Sequence, residues 1–155
     1  MNLSTNRFST TLRTFPSQGV QKLALEGNSI ELSTAAPNTE YAIQLNDPGA
    51  PAPPPYVHGS LIVRNNRIRY VDGGSGNGNG IKVYSAQNFL VSENVVDVSQ
   101  TNPLRNNRCG SVKYFDNRTP AGILIRGINE ANNVLYSELE TDAEDAFVLA
   151  MFKKR

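Results

Sequence analysis

The chain contains no tryptophan, one cysteine and one histidine. A lone cysteine, Cys109, cannot close an intramolecular disulfide and excludes a cysteine-based metal cluster. It lies in a polar, partly basic stretch, where an inert loop thiol and a reactive one are both open readings. A lone histidine, His58, removes any multi-histidine zinc site and narrows triad chemistry to one base. Following Pro53-Pro54-Pro55, it reads as a loop residue. Neither charge sign dominates: 15 Lys and Arg against 14 Asp and Glu leave a net charge of +1, which points away from nucleic acid as a partner. No window approaches a membrane span, and Met1-Asn2-Leu3-Ser4-Thr5 lacks the apolar region of a signal peptide. A soluble chain with no membrane partner and no secretion signal of its own is therefore expected.

Helical periodicity is scarce as well. Short alternating runs take its place, punctuated by Gly, Asn, Asp and Pro, which is the pattern of strands. A length of 155 residues with 39% hydrophobic content fits one domain, 1–155, able to bury a core. Three segments align without gaps: Leu23-Ala-Leu-Glu-Gly-Asn-Ser-Ile-Glu-Leu32, Leu61-Ile-Val-Arg-Asn-Asn-Arg-Ile-Arg-Tyr70 and Phe89-Leu-Val-Ser-Glu-Asn-Val-Val-Asp-Val98. All fit apolar-x-apolar-x-x-Asn-x-apolar-x-apolar. In a flat strand Leu61 and Val63 would face one side and Ile68 and Tyr70 the other. A corner at Asn65-Asn66 lets both pairs enter one core. Asparagine tolerates the left-handed conformation such a corner needs, so Asn28, Asn66 and Asn94 are assigned to it, stacked where they can hydrogen-bond along a ladder. A second strand type, Gly80-Ile-Lys-Val-Tyr84, is matched by Gly122-Ile-Leu-Ile-Arg126 and more weakly by Tyr41-Ala-Ile-Gln-Leu45. A degraded template follows at Val134-x-Tyr136-x-x-Leu139-x-Thr141. Insertions enter between the Asn-containing strand and the next Gly-Ile strand, as in solenoids.

The run Gly80-Ile-Lys-Val-Tyr-Ser-Ala-Gln-Asn-Phe-Leu-Val-Ser-Glu-Asn-Val-Val resembles the repeat of pectate-lyase-like right-handed parallel β-helix proteins, over residues 20–142. The resemblance implies an all-β chain, a short right-handed parallel β-helix of about four coils with long inserted loops. Residues 1–19 and 143–155 would be end caps or terminal strands. Lyases, hydrolases, esterases, epimerases and phage tailspikes all belong to that superfamily, so the fold does not select an activity.

In-register stacking sets equivalent positions about 4.8 Å apart. The outward positions then read Ser29, Arg67, Val95, Glu140 and Glu31, Arg69, Asp97, Asp142, which puts Arg69 between Glu31 and Asp97. Such a row is either surface pairing or a groove for a charged polymer. Asp97 beside Asp142 could hold Ca²⁺ or divide two pKa values for acid–base work; Glu93 and Glu138 make a second acidic pair, and a structural acidic edge is the plainer alternative. Ca²⁺ is the one candidate cofactor. The segment from Ser99 to Pro120 reads as a long loop carrying Arg105, Arg108, Lys113 and Arg118 against Asp116, with Tyr114 and Phe115 among them. Cations with rings suit an acidic sugar. A solvated loop folded over the helix side is the other reading.

The polysaccharide-cleaving signatures are missing: there is no Asp-Asp, no Gly-His-Gly, and Asn38-Thr39-Glu40 substitutes poorly for Asn-Thr-Asp. The glycine-rich segment 72–80 lacks the Gly-Lys-Ser/Thr ending of a phosphate loop, and Pro48 to Pro55 is a stiff connection. The expected function is a non-catalytic β-helix module that binds acidic polysaccharide or assembles with its own copies. A small or truncated polysaccharide lyase or glycoside hydrolase is the alternative. A homo-oligomer is expected, because a short solenoid exposes a slice of core at each end and the apolar segment 143–152 could meet a neighbour.

Overall fold

The computed structural model describes residues 2–4, 7–8, 12–14, 20–32, 41–45, 58–70, 79–98, 103–130 and 132–136. In chain order the strands are β1 (Asn2–Ser4), β2 (Arg7–Phe8) and β3 (Leu12–Thr14); β4 (Lys22–Glu26), β5 (Ser29–Leu32) and β6 (Tyr41–Leu45); β7 (His58–Arg64), β8 (Arg67–Tyr70) and β9 (Asn79–Tyr84); β10 (Ala86–Ser92), β11 (Val95–Asp97) and β12 (Leu104–Asn107); and β13 (Ser111–Phe115), β14 (Ile128–Asn129) and β15 (Val134–Leu135). They form three sheets. Sheet A has the order β1-β4-β7-β10-β13, sheet B β11-β8-β5-β2, and sheet C β15-β14-β12-β9-β6-β3. From β1 to β12 the chain visits A, B and C in strict rotation, so every neighbour in a sheet comes from the round before or after. The pairing is parallel throughout except between β14 and β15. The chain is thus all-β with parallel sheets.

The parity switch read from the template holds. Leu23 and Leu25, Leu61 and Val63, and Phe89 and Val91 share one buried cluster with Ile30, Ile68 and Val96 from the far side of the corner. Sheet C adds Ile43 and Leu45, Ile81 and Val83, and Leu104. In β7 and β10 the runs Leu61-Ile-Val63 and Phe89-Leu-Val91 are buried on both faces, which is why they read as continuous apolar stretches rather than clean alternation.

The corner differs from expectation by one residue. The left-handed backbone belongs to the position before each ladder asparagine: Gly27 (φ 65°), Asn65 (φ 54°), Glu93 (φ 53°) and Asp116 (φ 44°). Asn28, Asn66 and Asn94 follow it, turned inward and buried. The reason is hydrogen bonding. The Asn28 amide nitrogens, backbone and Nδ2, donate to Asn66 Oδ1 at 3.0 and 2.9 Å. Asn66 donates likewise to Asn94 Oδ1 at 3.0 and 2.9 Å, and Asn94 to Asn117 Oδ1 at 3.2 and 2.8 Å. Each Nδ2 also donates to a strand carbonyl: Asn66 to Leu25 O, Asn94 to Val63 O and Asn117 to Val91 O, all at 2.9 Å. A strand-to-strand corner inside the molecule would otherwise leave these polar groups unpaired.

Asn117 is a rung the sequence reading did not include. Within the segment 99–120, residues 103–120 are not one loop, since β12 joins sheet C and β13 joins sheet A. Val112-x-Tyr114-x-x-Asn117 repeats the template beneath its cations, with Tyr114 in register with Val91. Gly122 to Arg126 is not the strand equivalent of β9, a place taken by β12, with Leu104 opposite Ile81. The chain turns there: Gly122 has φ 80°, its N–H donates to Thr119 O at 2.9 Å, and Ile123 is 66% exposed. Val134 starts no further parallel rung either, because β15 runs antiparallel to β14. Gly127 is where the chain closes over the core, and a Cβ there would lie 2.0 Å from the Tyr114 ring. Residues 137–155, which include the segment 143–152, lie outside the described residues.

The Asn94 side chain accepts two hydrogen bonds and donates two, all buried. Asn94→Leu is therefore expected to lower stability by about 3 kcal/mol, through buried donors left without acceptors. Asn88→Ala, which removes one partly buried bond to Ser60 Oγ at 3.2 Å, should cost under about 1 kcal/mol. Urea denaturation of both variants checks this, and equal midpoints would contradict the weight given to the ladder.

Candidate functional site

Arg105, Arg108, Lys113 and Arg118, expected on one loop, are spread over sheets A and C and the corners, and Arg69, expected in the outward row, lies on sheet B. Arg69 is on β8, in register with Glu31, to which its Nε and Nη2 donate. Arg105 is on β12, Arg108 holds a left-handed corner (φ 54°), and Lys113 is on β13 opposite Leu90. Arg118 is tied to Asp116 at 2.6 Å and to the Gly122 carbonyl at 3.0 Å. Tyr114 is the clearest correction: it is 1% exposed, inside the core. Its ring packs edge-on against Phe89 at 6.0 Å and against Tyr136 at 5.2 Å. Strand parity with Val112 turns it inward, so it offers no face to a sugar. Its hydroxyl accepts from Asn106 Nδ2 at 3.1 Å, and burial pushes its pKa well above that of a free phenol.

On sheet B the register Glu31–Arg69–Asp97 is as expected. Asp97 is exposed. Asp142, its proposed partner for Ca²⁺, lies outside the described residues, as do Glu138 and Glu140. Among the described residues no group of three His, Cys, Asp or Glu could hold a metal ion.

A different cluster forms on the outward side of sheet C. Alternation along β9 turns Ile81 and Val83 into the core and leaves Lys82 outside, in register with Gln44 of β6 and Arg105 of β12. The Lys82 ammonium lies 4.9 Å from the centre of the Tyr84 ring and 5.2 Å from that of Tyr41, within range of cation–π attraction. It also reaches the Glu130 carboxylate at 2.9 Å, and Arg105 Nη1 meets the same carboxylate at 3.3 Å. Partial burial works against the Lys82 charge, but hydrogen bonds to Glu130 and Tyr84 outweigh it and raise the pKa. Lys82 is therefore a fixed cation at neutral pH and not a general base. Gln44 is 8% exposed, and its Oε1 has no hydrogen-bond partner among the described residues. The Tyr41 ring is buried, so two cations and the half-buried Tyr84 ring are what could hold an anion carrying an apolar ring face.

No local motif announces this cluster, because Lys82 and Glu130 are 48 residues apart. The signal lay in the register. Once 104–107 is a strand under β9, the alternation that buries Ile81 places Lys82 and Arg105 side by side.

His58 is not a loop residue. It opens β7, is buried, and its Nδ1 accepts from the Val20 N–H at 3.2 Å. Cys109 packs against the core with Sγ 3.5 Å from Asn107 O, and burial pushes its pKa up to about 11. Among the described residues no helix is long and apolar enough to cross a membrane. Compared with known protein families, curated proteins and solved structures, the chain matches none.

The raised thiol pKa favours the inert reading and carries a sign. Above the ordinary value of 9.0 the unfolded chain loses the Cys109 proton while the folded chain keeps it up to about 11. Its contribution is complete below pH 9 and is lost as pH rises through that window, by at most about 3 kcal/mol. Alkylation by iodoacetamide at pH 8.5 should be slow for native protein and fast in denaturant. Equal rates would contradict the burial.

Proposed function

We propose that the chain is a short right-handed parallel β-helix of the pectate-lyase-like kind, acting as a non-catalytic module that binds an acidic polysaccharide along the outward side of sheet C. The rotation of strands through three parallel sheets supports the solenoid reading, and right-handed crossover is the rule for parallel connections. The observation that carries the binding reading is Lys82, held between the Tyr41 and Tyr84 rings with Arg105 in register beside it. A carboxylate or sulfate group would meet the two cations, and a sugar face would pack on Tyr84. Successive rungs repeat at about 4.8 Å, close to the length of one sugar unit, so a chain lying across the strands would meet one rung per residue. The raised Lys82 pKa and the missing cleavage signatures favour binding over lysis.

Self-association is the second reading. It is favoured by the exposed Ile123 and Leu124 in the turn before β14 and the exposed Val134 and Leu135 of β15. Light scattering on wild type and Leu135→Asp should then show an assembly in the first and a smaller particle in the second.

Calorimetry with uronate and sulfated oligosaccharides tests the binding reading. Affinity is expected to fall with salt, to drop about tenfold in Lys82→Ala, and to persist in Arg69→Ala on the sheet B side. Binding lost through Arg69→Ala and kept through Lys82→Ala would move the site to the other sheet.

A further inference from the structure

The cations of sheet C are already engaged by a carboxylate from farther along the same chain. Glu130 directly follows β14, and its N–H donates to Asn106 O at 2.9 Å, continuing the sheet by one more bond. From there its carboxylate spans two strands, meeting Arg105 on β12 at 3.3 Å and Lys82 on β9 at 2.9 Å. All three side chains are largely shielded from water, at 14–26% exposure, so the contact is less screened than an open surface pair.

Among the described residues, the element that carries Glu130 is held by short strand pairings and a few side chains. β14 makes two register pairs with β12, and β15 makes two with β14. Val134 and Leu135 are about half exposed. Apart from Glu130, the anchors are buried Ile128, the Tyr136 ring beside Tyr114, and the Tyr136 N–H donating to Gly127 O at 2.9 Å. A hairpin of two-residue strands sits at the low end of local stability, and an ionic contact to two cations adds to its hold.

We infer that Glu130 is a built-in competitor for the anion site, and that its contact with Lys82 and Arg105 is the latch that docks the hairpin 128–136 on sheet C. This rests on the binding reading above. An incoming carboxylate or sulfate group takes the same two cations, so ligand binding and hairpin docking exclude one another. By linkage, whatever loosens the hairpin tightens the ligand. Occupied by ligand, the protein would release 128–136 from β12 and expose the strand edge and the Tyr114 ring beneath it. The site thereby reports its occupancy at the end of the stack.

Hydrogen exchange read by mass spectrometry, with a short dextran sulfate as probe, tests both parts on Glu130→Gln and Lys82→Met. Both variants break the latch, so without probe the amides of 128–136 should exchange severalfold faster than in wild type, while those of β7 and β10 stay unchanged. Unchanged exchange of 128–136 in both variants would overturn the latch. With probe, wild-type exchange at 128–136 should rise, Glu130→Gln should bind several times more tightly than wild type, and Lys82→Met should lose binding. Glu130→Gln binding the probe no better than wild type would overturn the competition. If no variant binds the probe while both loosen the hairpin, the latch holds and the ligand reading falls.

Discussion

Four asparagines carry the constraint on which the rest of the molecule depends. The side-chain oxygen of Asn66, Asn94 and Asn117 each accepts the backbone and side-chain N–H groups of the asparagine one rung earlier. A corner between two sheets has to point backbone polar groups into an apolar interior, where an unmade hydrogen bond costs about 1–3 kcal/mol. The ladder satisfies those groups from within. It also fixes the register, because a slip of one residue would break every rung and turn Leu61 and Val63 out of the central core. Glu93 accepts a left-handed backbone that its side chain does not favour, and Asp116 one that aspartate tolerates, so that the next residue can face inward.

Register in turn decides what stands outside. Residues far apart in sequence become neighbours by strand parity alone: Arg69 beside Glu31 on sheet B, and Lys82 beside Arg105 and Gln44 on sheet C. A site built this way needs no loop and no motif. It is as rigid as the ladder beneath it, except where the last element contributes, since Glu130 comes from a hairpin that leaves the parallel pattern.

The central rounds were legible because their templates are unbroken apolar patterns around an asparagine. The flanking rounds were not. In Val112-x-Tyr114-x-x-Asn117 the apolar position after the asparagine is Thr119, and the surrounding cations suggest solvent. Yet a strand needs only its inward side chains to be apolar, so Arg105 and Lys113 are ordinary outward residues of β12 and β13. At the other end, Met1-x-Leu3-x-x-Asn6-x-Phe8 fits the template by spacing, and Leu3 and Phe8 stand in register with Leu25 and Ile30. Gly122-Ile-Leu-Ile-Arg126 misled in the opposite sense, since local similarity to β9 cannot show that Asn117 is the last rung among the described residues and that the chain turns there. The Lys82 cluster was out of reach while 99–120 was taken for a loop, because its partners come from three separate strands or their ends.

Interstrand nuclear Overhauser effects test the stacked register most directly. The account predicts contacts from the Asn28 side-chain amide to Asn66, from Asn66 to Asn94 and from Asn94 to Asn117, together with slow exchange of those side-chain protons. It also predicts the amide-to-α contacts of parallel pairing between β4 and β7 and between β7 and β10. Strong α-to-α contacts between β4 and β7, the mark of antiparallel neighbours, would contradict it.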